Sequence, residues 1–247
     1  SSTREGSAIS NTAAAGDAAA AAAPLTDAMR RGYSTVTTEM RNVAAASRNP
    51  VYQRLADLAR RLTVSTTVQA LPRAELDAAL AAMGVTDPAG VDGAYSASTD
   101  TILVDAATVG TQWGVHVLTH EAAHAITDHA FNAYENGTTD AEVRRFVQRA
   151  ERLYQEALRK LPAGVANGYW RTSAREFVAE AWSNAELQVE LMRTEADASV
   201  RIPTARGTLT LWDSFVEAVR AFFSVRSQHV SLLEEVLYAS ELVAQTS

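Results

Sequence analysis

The sequence contains no cysteine. Disulfides and thiolate metal ligands are therefore excluded, and any bound metal has to be held by His, Asp or Glu. A cysteine-free chain fits a reducing compartment without requiring one. Positive charge is also short: 22 Lys and Arg stand against 29 Asp and Glu, a formal net charge of −7. Nucleic-acid-binding domains normally carry a basic surface, so this balance argues against nucleic acid as a partner. No run is long and apolar enough to cross a membrane, and no membrane span is expected. The alanine run Ala18–Ala23 is too short, and lacks the basic flank, to be a signal peptide. Position 1 is Ser rather than Met, so a processed product or a piece of a longer polypeptide is expected.

What is present is a chain of 247 residues, 47% hydrophobic, enough for one large core. Residues 1–24 are rich in Ala, Ser, Thr and Gly and read as a low-complexity tail or linker, with little to bury and hence no order expected in isolation. Residues 25–48 read as a helical extension with a weak apolar pattern, and residues 49–247 as the main domain. Asn49-Pro50 opens a helix bearing Val51, Leu55, Leu58 and Leu62 at helical spacing. Residues 63–70 read as a strand. Residues 73–83 form a short Ala/Leu helix stopped by Gly84. Ala94 to Ser96 and Thr101 to Asp105 read as two strands of a hairpin, followed by a helix from about Thr111 to Phe131.

Asn136-Gly137 breaks that pattern. The helix over 140–161 gathers Phe146, Val147, Ala150, Leu153, Tyr154, Ala157 and Leu161 on one face. A loop leads to a helix starting at Ser173, and two more helices are expected over 209–224 and 231–245. The fold class is α+β, mostly helical, with a small sheet.

Residues 120–124 read His-Glu-Ala-Ala-His. Positions i and i+4 of a helix share one face, so His120 and His124 can both reach one zinc ion at about 2.0–2.1 Å. Glu121 stands between them without being a ligand and can act as a general base toward water. A catalytic zinc needs a third protein ligand and an open position. Glu176 and Glu180, in Glu-Phe-Val-Ala-Glu, are four apart on the helix that begins at Ser173. One can bind zinc while the other orients a ligating histidine from behind.

His-Glu-Ala-Ala-His followed by Glu-Phe-Val-Ala-Glu-Ala-Trp resembles the gluzincin branch of the zincin metallopeptidases. The likeness is greatest to the anthrax-lethal-factor type, whose third ligand lies in a similar helix. The resemblance implies that Glu176 is the zinc ligand and that Glu180 supports the site. It implies that Tyr169, seven residues before Glu176, steadies the oxyanion. It also implies a zincin-like fold with an HExxH helix, and a strand around Thr101 to Asp105 against which an extended polypeptide substrate pairs. A narrower likeness covers most of 49–247, through Pro50-Val-Tyr-Gln-Arg-Leu, the Tyr95 to Asp105 hairpin, Trp182-Ser-Asn and Leu211-Trp-Asp-Ser-Phe-Val. It is to metallopeptidase-like domains of large polyvalent bacteriophage proteins. This implies a virion-associated protein delivered into the bacterial host cytoplasm, acting on its parent polyprotein or other virion proteins. The long spacing between the two motifs departs from the simplest gluzincins, and the helix over 140–161 that fills it is a candidate to shape or block the cleft.

Plainer readings stand beside these. Ser173-Ala-Arg-Glu176 is also a capping box, which would make Glu176 a helix-start residue. Tyr169 can simply pack beside Trp170. His116, one turn before His120, reads as lining a cleft or starting the helix, because a fourth ligand would close the site. His129 and His229 read as structural or exposed, and the arginines of 140–161 as a solvated face. The stripe Trp212, Phe215, Val216, Val219, Phe222, Phe223 reads as core or a partner contact. A virion structural protein that keeps a zincin fold with little or no peptidase activity is the functional alternative.

Overall fold

The computed structural model describes residues 7–10, 32, 34–46, 65–201 and 210–226. The helices expected over 51–62 and 231–245, and His229, lie outside the described residues. The protein is mostly helical with a small mixed sheet, in keeping with the α+β class. It divides into two compact units, Ser1–Ile126 and Thr127–Ser247.

The first unit holds β1 (Ser7–Ser10), β2 (Ser34–Thr35), α1 (Val36–Ala46), β3 (Thr67–Leu71), α2 (Arg73–Ala82), β4 (Val91–Ser96) and β5 (Thr101–Asp105). It also holds the first half of α3 (Gln112–Glu135). The strand order is β1-β4-β5-β3-β2. The expected hairpin is present as antiparallel β4–β5, while β3 pairs parallel to β5. The expectation that Thr101–Asp105 offers an edge to a substrate is not met, because β5 is flanked on both sides, by β4 and β3. Nor is 1–24 featureless: Ser7–Ser10 pairs antiparallel with β4.

Two layers cover the sheet. Leu76 and Leu80, one turn apart on α2, pack with Leu71, Val91, Ala94 and Leu103. Burial of each such side chain stabilises by about 1.5–3 kcal/mol. Side chains alternate along a strand, so Ile102 and Val104 face away from this cluster. Gly93 pairs with Val104 and shares that second face, where a Cβ built on it would meet Val117 of α3 at 2.4 Å. Only glycine lets this helix approach the strand so closely.

Charge joins the layers. Arg73, the first residue of α2, donates to Asp77 at 2.8 Å, to Asp92 and Asp105 at 3.1 Å each, and to the carbonyl of Val91 at 2.6 Å. Asp92 also accepts from Trp113 Nε1 at 2.7 Å, which ties the first turn of α3 to β4.

The second unit contains the rest of α3, then α4 (Ala141–Lys160), a 3-10 segment Val165–Arg171, α5 (Ala174–Ser183), α6 (Ala185–Arg193) and α7 (Leu211–Arg226). Asp140 caps α4 by accepting from Glu142 N and Val143 N. The apolar face expected of α4 is buried throughout, from Phe146 to Leu161. Phe146 stacks on Phe222 of α7 at 4.4 Å, so α4 commits this face to its own unit's core. Trp212, Phe215, Val219 and Phe222 are buried, which makes these four residues of the stripe core, while Val216 is half-buried. Arg144, Arg145, Arg152 and Arg159 are exposed, as a solvated face requires.

Arg73→Ala would leave the buried Asp92 and Asp105 carboxylates without their cation. Urea unfolding should show a loss of about 1–3 kcal/mol, the range for a stranded charged acceptor, discounted because the Arg73 side chain is 34% exposed. A loss below about 0.5 kcal/mol, the level of an ordinary surface change, would mean that the hub does not hold the layers.

Candidate metal centre

Helix α3 is set in place at its start. Thr111 Oγ1 accepts from Gly114 N at 3.0 Å, a cap-type bond. A Cβ on Gly114 would fall 2.1 Å from the carbonyl of Thr108, so the turn before the helix can close only on glycine. Trp113 is fixed by Asp92, and His116 stacks on its ring at 5.0 Å with the planes 24° apart. His116 is therefore a half-buried residue of the helix start.

Two turns further on, His120, Glu121 and His124 are all 0% exposed. The two imidazoles converge, with His120 Nε2 and His124 Nε2 3.1 Å apart and the ring centroids 4.8 Å apart. Such a contact is either a hydrogen bond between one protonated and one bare nitrogen, or two bare nitrogens turned toward one cation. The distance is compatible with both cases. Nitrogens at zinc–nitrogen bond lengths of about 2.0–2.1 Å and this far apart subtend about 100° at the ion, close to tetrahedral. Glu121 lies under β4: a Cβ on Gly93 would be 3.6 Å from Glu121 Cγ.

In the second unit, Ser173 caps α5 by accepting from Glu176 N at 3.2 Å. That cap, read as a competitor to a ligand role, engages the backbone N–H of Glu176. Glu176 and Glu180 are both buried, on one face of α5. Buried carboxylates need compensating partners. One for Glu180 is Asn184 Nδ2, which donates to Oε2 at 2.8 Å. Asn184 does two things, since its Oδ1 also accepts from Glu186 N and Leu187 N and so starts α6. Arg175, beside Glu176 in sequence, fastens α5 to the second half of α3: it reaches Asp128 at 3.9 Å, Glu135 at 2.8 Å and Asn132 at 2.8 Å, over the ring of Phe131. Asp128 is thus a buried member of a polar contact. His129 is exposed, as one of its two expected readings has it, with its ring 6.1 Å from that of Phe222.

Tyr169 follows a run of left-handed backbone at Ala166, Asn167 and Gly168, with φ of 50°, 55° and 78°. A Cβ on Gly168 would come 2.9 Å from the carbonyl of Ala163. Non-glycine residues rarely hold positive φ, and such strain is kept where the surroundings over-determine it. Here Trp170 anchors the segment, fully buried, with Nε1 donating to the carbonyl of Val165 at 2.9 Å. Tyr169 itself is half-buried, and its carbonyl accepts from Thr172.

The structure thus brings His120, Glu121 and His124 together on one helical face, and Glu176 with Glu180 on another. Among the described residues, a buried group of two histidines and a glutamate could hold a metal ion. Arg175, Asn184 and Gly93 escaped the sequence reading. A signal existed for Asn184, an N-cap residue type two positions before Glu186. None existed for Gly93, whose role depends on a helix packed from elsewhere. The chain matches no family model, no curated protein and no solved structure.

Asn184→Ala removes the α6 cap and a donor to Glu180 together. Thermal or urea unfolding should report a loss of about 0.5–2 kcal/mol, the usual worth of such a cap. An unchanged midpoint would contradict the double role.

Proposed function

We propose that this protein is a zinc-dependent metalloendopeptidase with a zincin-type site, in which His120, His124 and Glu176 hold the metal. The observation that carries the reading is the 3.1 Å approach of two fully buried imidazole nitrogens one helical turn apart, with Glu121 between them. Further support comes from ligand chemistry: a chain without cysteine offers only His and carboxylate donors, and a His/His/Glu set suits a catalytic zinc with one open position. The choice of Glu176 over Glu180 is supported by the resemblance, which matches Glu176 to the ligand position. Glu180, held by Asn184, would orient a ligating histidine.

Zinc in such a set supplies Lewis acidity, which brings the pKa of water to about 7 and polarises a carbonyl. Glu121 takes a proton from the attacking water on its carboxylate and passes it to the leaving amine. The Tyr169 phenol donates a hydrogen bond to the carbonyl oxygen as negative charge gathers there. The substrate is a polypeptide. The resemblance to phage polyvalent proteins supports a virion or ejected polyprotein as the setting, with the parent chain or other virion proteins as partners. Among the described residues, no helix is long and apolar enough to cross a membrane.

A second reading has an observation of its own. Ser7–Ser10 covers the outer edge of β4, which suits a zincin-fold virion structural protein with little or no activity.

Purified protein should carry about one zinc per chain, and the His120→Ala/His124→Ala double variant none, by elemental analysis. Stoichiometric zinc in the double variant would sink the assignment. Glu176→Ala should lose the metal outright, whereas Glu180→Ala should cost roughly 10–100-fold in affinity. The reverse order would exchange their roles.

Glu121→Gln tests the chemistry. It should retain zinc and fold, yet lose about 10²–10⁴-fold in cleavage rate, the usual contribution of a general base. A proteome-wide cleavage screen should find products made by the wild type, suppressed by a chelator and missing from the variant. Zinc-loaded protein inactive in both forms would favour the structural reading.

A further inference from the structure

We infer that Tyr154, Asn167 and Arg171 are positioning residues for Tyr169, and that the end of α4 is the platform on which they hold it. The inference rests on the peptidase reading for the task of Tyr169, and on the second unit alone for how that residue is held. Helix α4 fills the long spacing between the two motifs, where the sequence left it a candidate to shape or block the cleft. Its last two turns engage the segment that carries Tyr169. Tyr154 Oη donates to the carbonyl of Arg171 at 2.5 Å. Burial pushes the Tyr154 phenol above its ordinary pKa, so it keeps the proton it donates. The Arg171 guanidinium turns back and donates to the carbonyls of Leu158 and Leu161 at 3.3 and 3.4 Å. Carbonyls at the end of a helix lack partners within it and attract a cation.

The segment itself is built around the same residue. The three residues before Tyr169 all hold positive φ, and two of them are not glycine. Strain of that kind collects where a side chain has to be held in one place for use. Ala166 is buried but Asn167 is exposed, so packing does not explain the choice of Asn167. What Asn167 does is local: its Oδ1 accepts from Tyr169 N at 3.2 Å. Asparagine both tolerates the left-handed region and supplies that acceptor, and alanine does neither. On the other side, the carbonyl of Tyr169 accepts from Thr172 N at 3.1 Å and from Thr172 Oγ1 at 2.9 Å. Trp170 pins the next position: it is fully buried, 6.1 Å from the ring of Phe177, with the Arg171 guanidinium 5.0 Å above its own ring. Both backbone groups of Tyr169 are thus fixed, and the two residues after it are tied to the core and to α4. A phenol that donates to a developing charge requires such holding, because a group displaced by about 1 Å can cost about 100-fold in rate.

The test uses the full zinc-loaded chain with Asn167→Ala, Asn167→Asp and Tyr154→Phe, each alone and together with Tyr169→Phe. Hydrogen exchange of the Tyr169 amide should quicken by roughly 2–10-fold in Asn167→Ala, the worth of one hydrogen bond, and return toward the wild-type rate in Asn167→Asp, which keeps the acceptor. Cleavage is followed with a fluorogenic peptide spanning a bond cut in the proteome-wide screen, and zinc by elemental analysis. Asn167→Ala and Tyr154→Phe should each lower kcat by about 2–10-fold with KM and zinc content unchanged, and Asn167→Asp should restore kcat. In the Tyr169→Phe background neither change should cost more, since no phenol is left to aim. A merely structural loop would give losses that add. Asn167 is exposed, so its pair of variants carries the test if Tyr154→Phe disturbs folding. An unchanged Tyr169 exchange rate in Asn167→Ala would overturn the inference, as would a kcat loss that keeps its full size in the Tyr169→Phe background. Quickened exchange without Glu121-dependent cleavage of any substrate would keep the platform and remove the peptidase reading. Glu121-dependent cleavage with kcat indifferent to Asn167 and Tyr154 would do the opposite.

Discussion

One guanidinium holds the first unit together. Arg73 gathers carboxylates from its own helix and from two strands, and one of them, Asp92, passes the connection to Trp113 at the start of α3. Apolar packing can fix the distance between a helix and a sheet but is lenient about rotation. A hydrogen bond to an indole nitrogen is not. Successive helical residues are about 100° apart around the axis, so turning α3 by one position would swing His120 and His124 together to a different direction. Gly93 sets the depth at which the helix lies, and the Arg73–Asp92–Trp113 chain sets its rotation.

Much of the site was legible because it is local. A His-x-x-x-His spacing on a helix fixes two side chains relative to each other whatever else folds around them. The Glu-x-x-x-Glu spacing does the same for Glu176 and Glu180. The α4 face and the caps at Asp140 and Ser173 follow from the same helical geometry. The sheet was less legible. Its hairpin could be read, since β4 and β5 are joined by a short turn, but the neighbours of β5 could not. Parallel pairing with β3 left no trace in either strand's composition, and it moved β5 from the expected edge to the interior. Ser7–Ser10 lies in a compositionally plain stretch, and its pairing is backbone chemistry that any sequence without proline can supply. The left-handed run Ala166-Asn167-Gly168 was hidden for another reason: the glycine and the asparagine are residue types that accept positive φ, but nothing in the sequence marks the alanine.

The metal reading therefore rests on donor chemistry rather than on overall likeness. Three ionisable groups with no exposure within five residues of one helix make a costly arrangement for a core. Proteins keep such arrangements where the groups have work that alanine or leucine could not do. Asn184 belongs to the same economy of parts. By ending α5, starting α6 and holding Glu180, it makes the position of one carboxylate inseparable from the helix boundary.

The pairing of β1 with β4 also has a consequence in time. Ser7 and its partner Tyr95 are separated by more than eighty residues. At translation rates of about 5–20 residues per second, Ser7–Ser10 exists for roughly 4–16 s before β4 has been made. The β4–β5 hairpin, once made, can form within about 1–10 μs. Strand β1 has to close the longer loop and bears the larger entropic cost. The nascent chain therefore passes through an interval in which β4 is paired on one side only. Strand β1 is an early product of synthesis and a late arrival in the sheet.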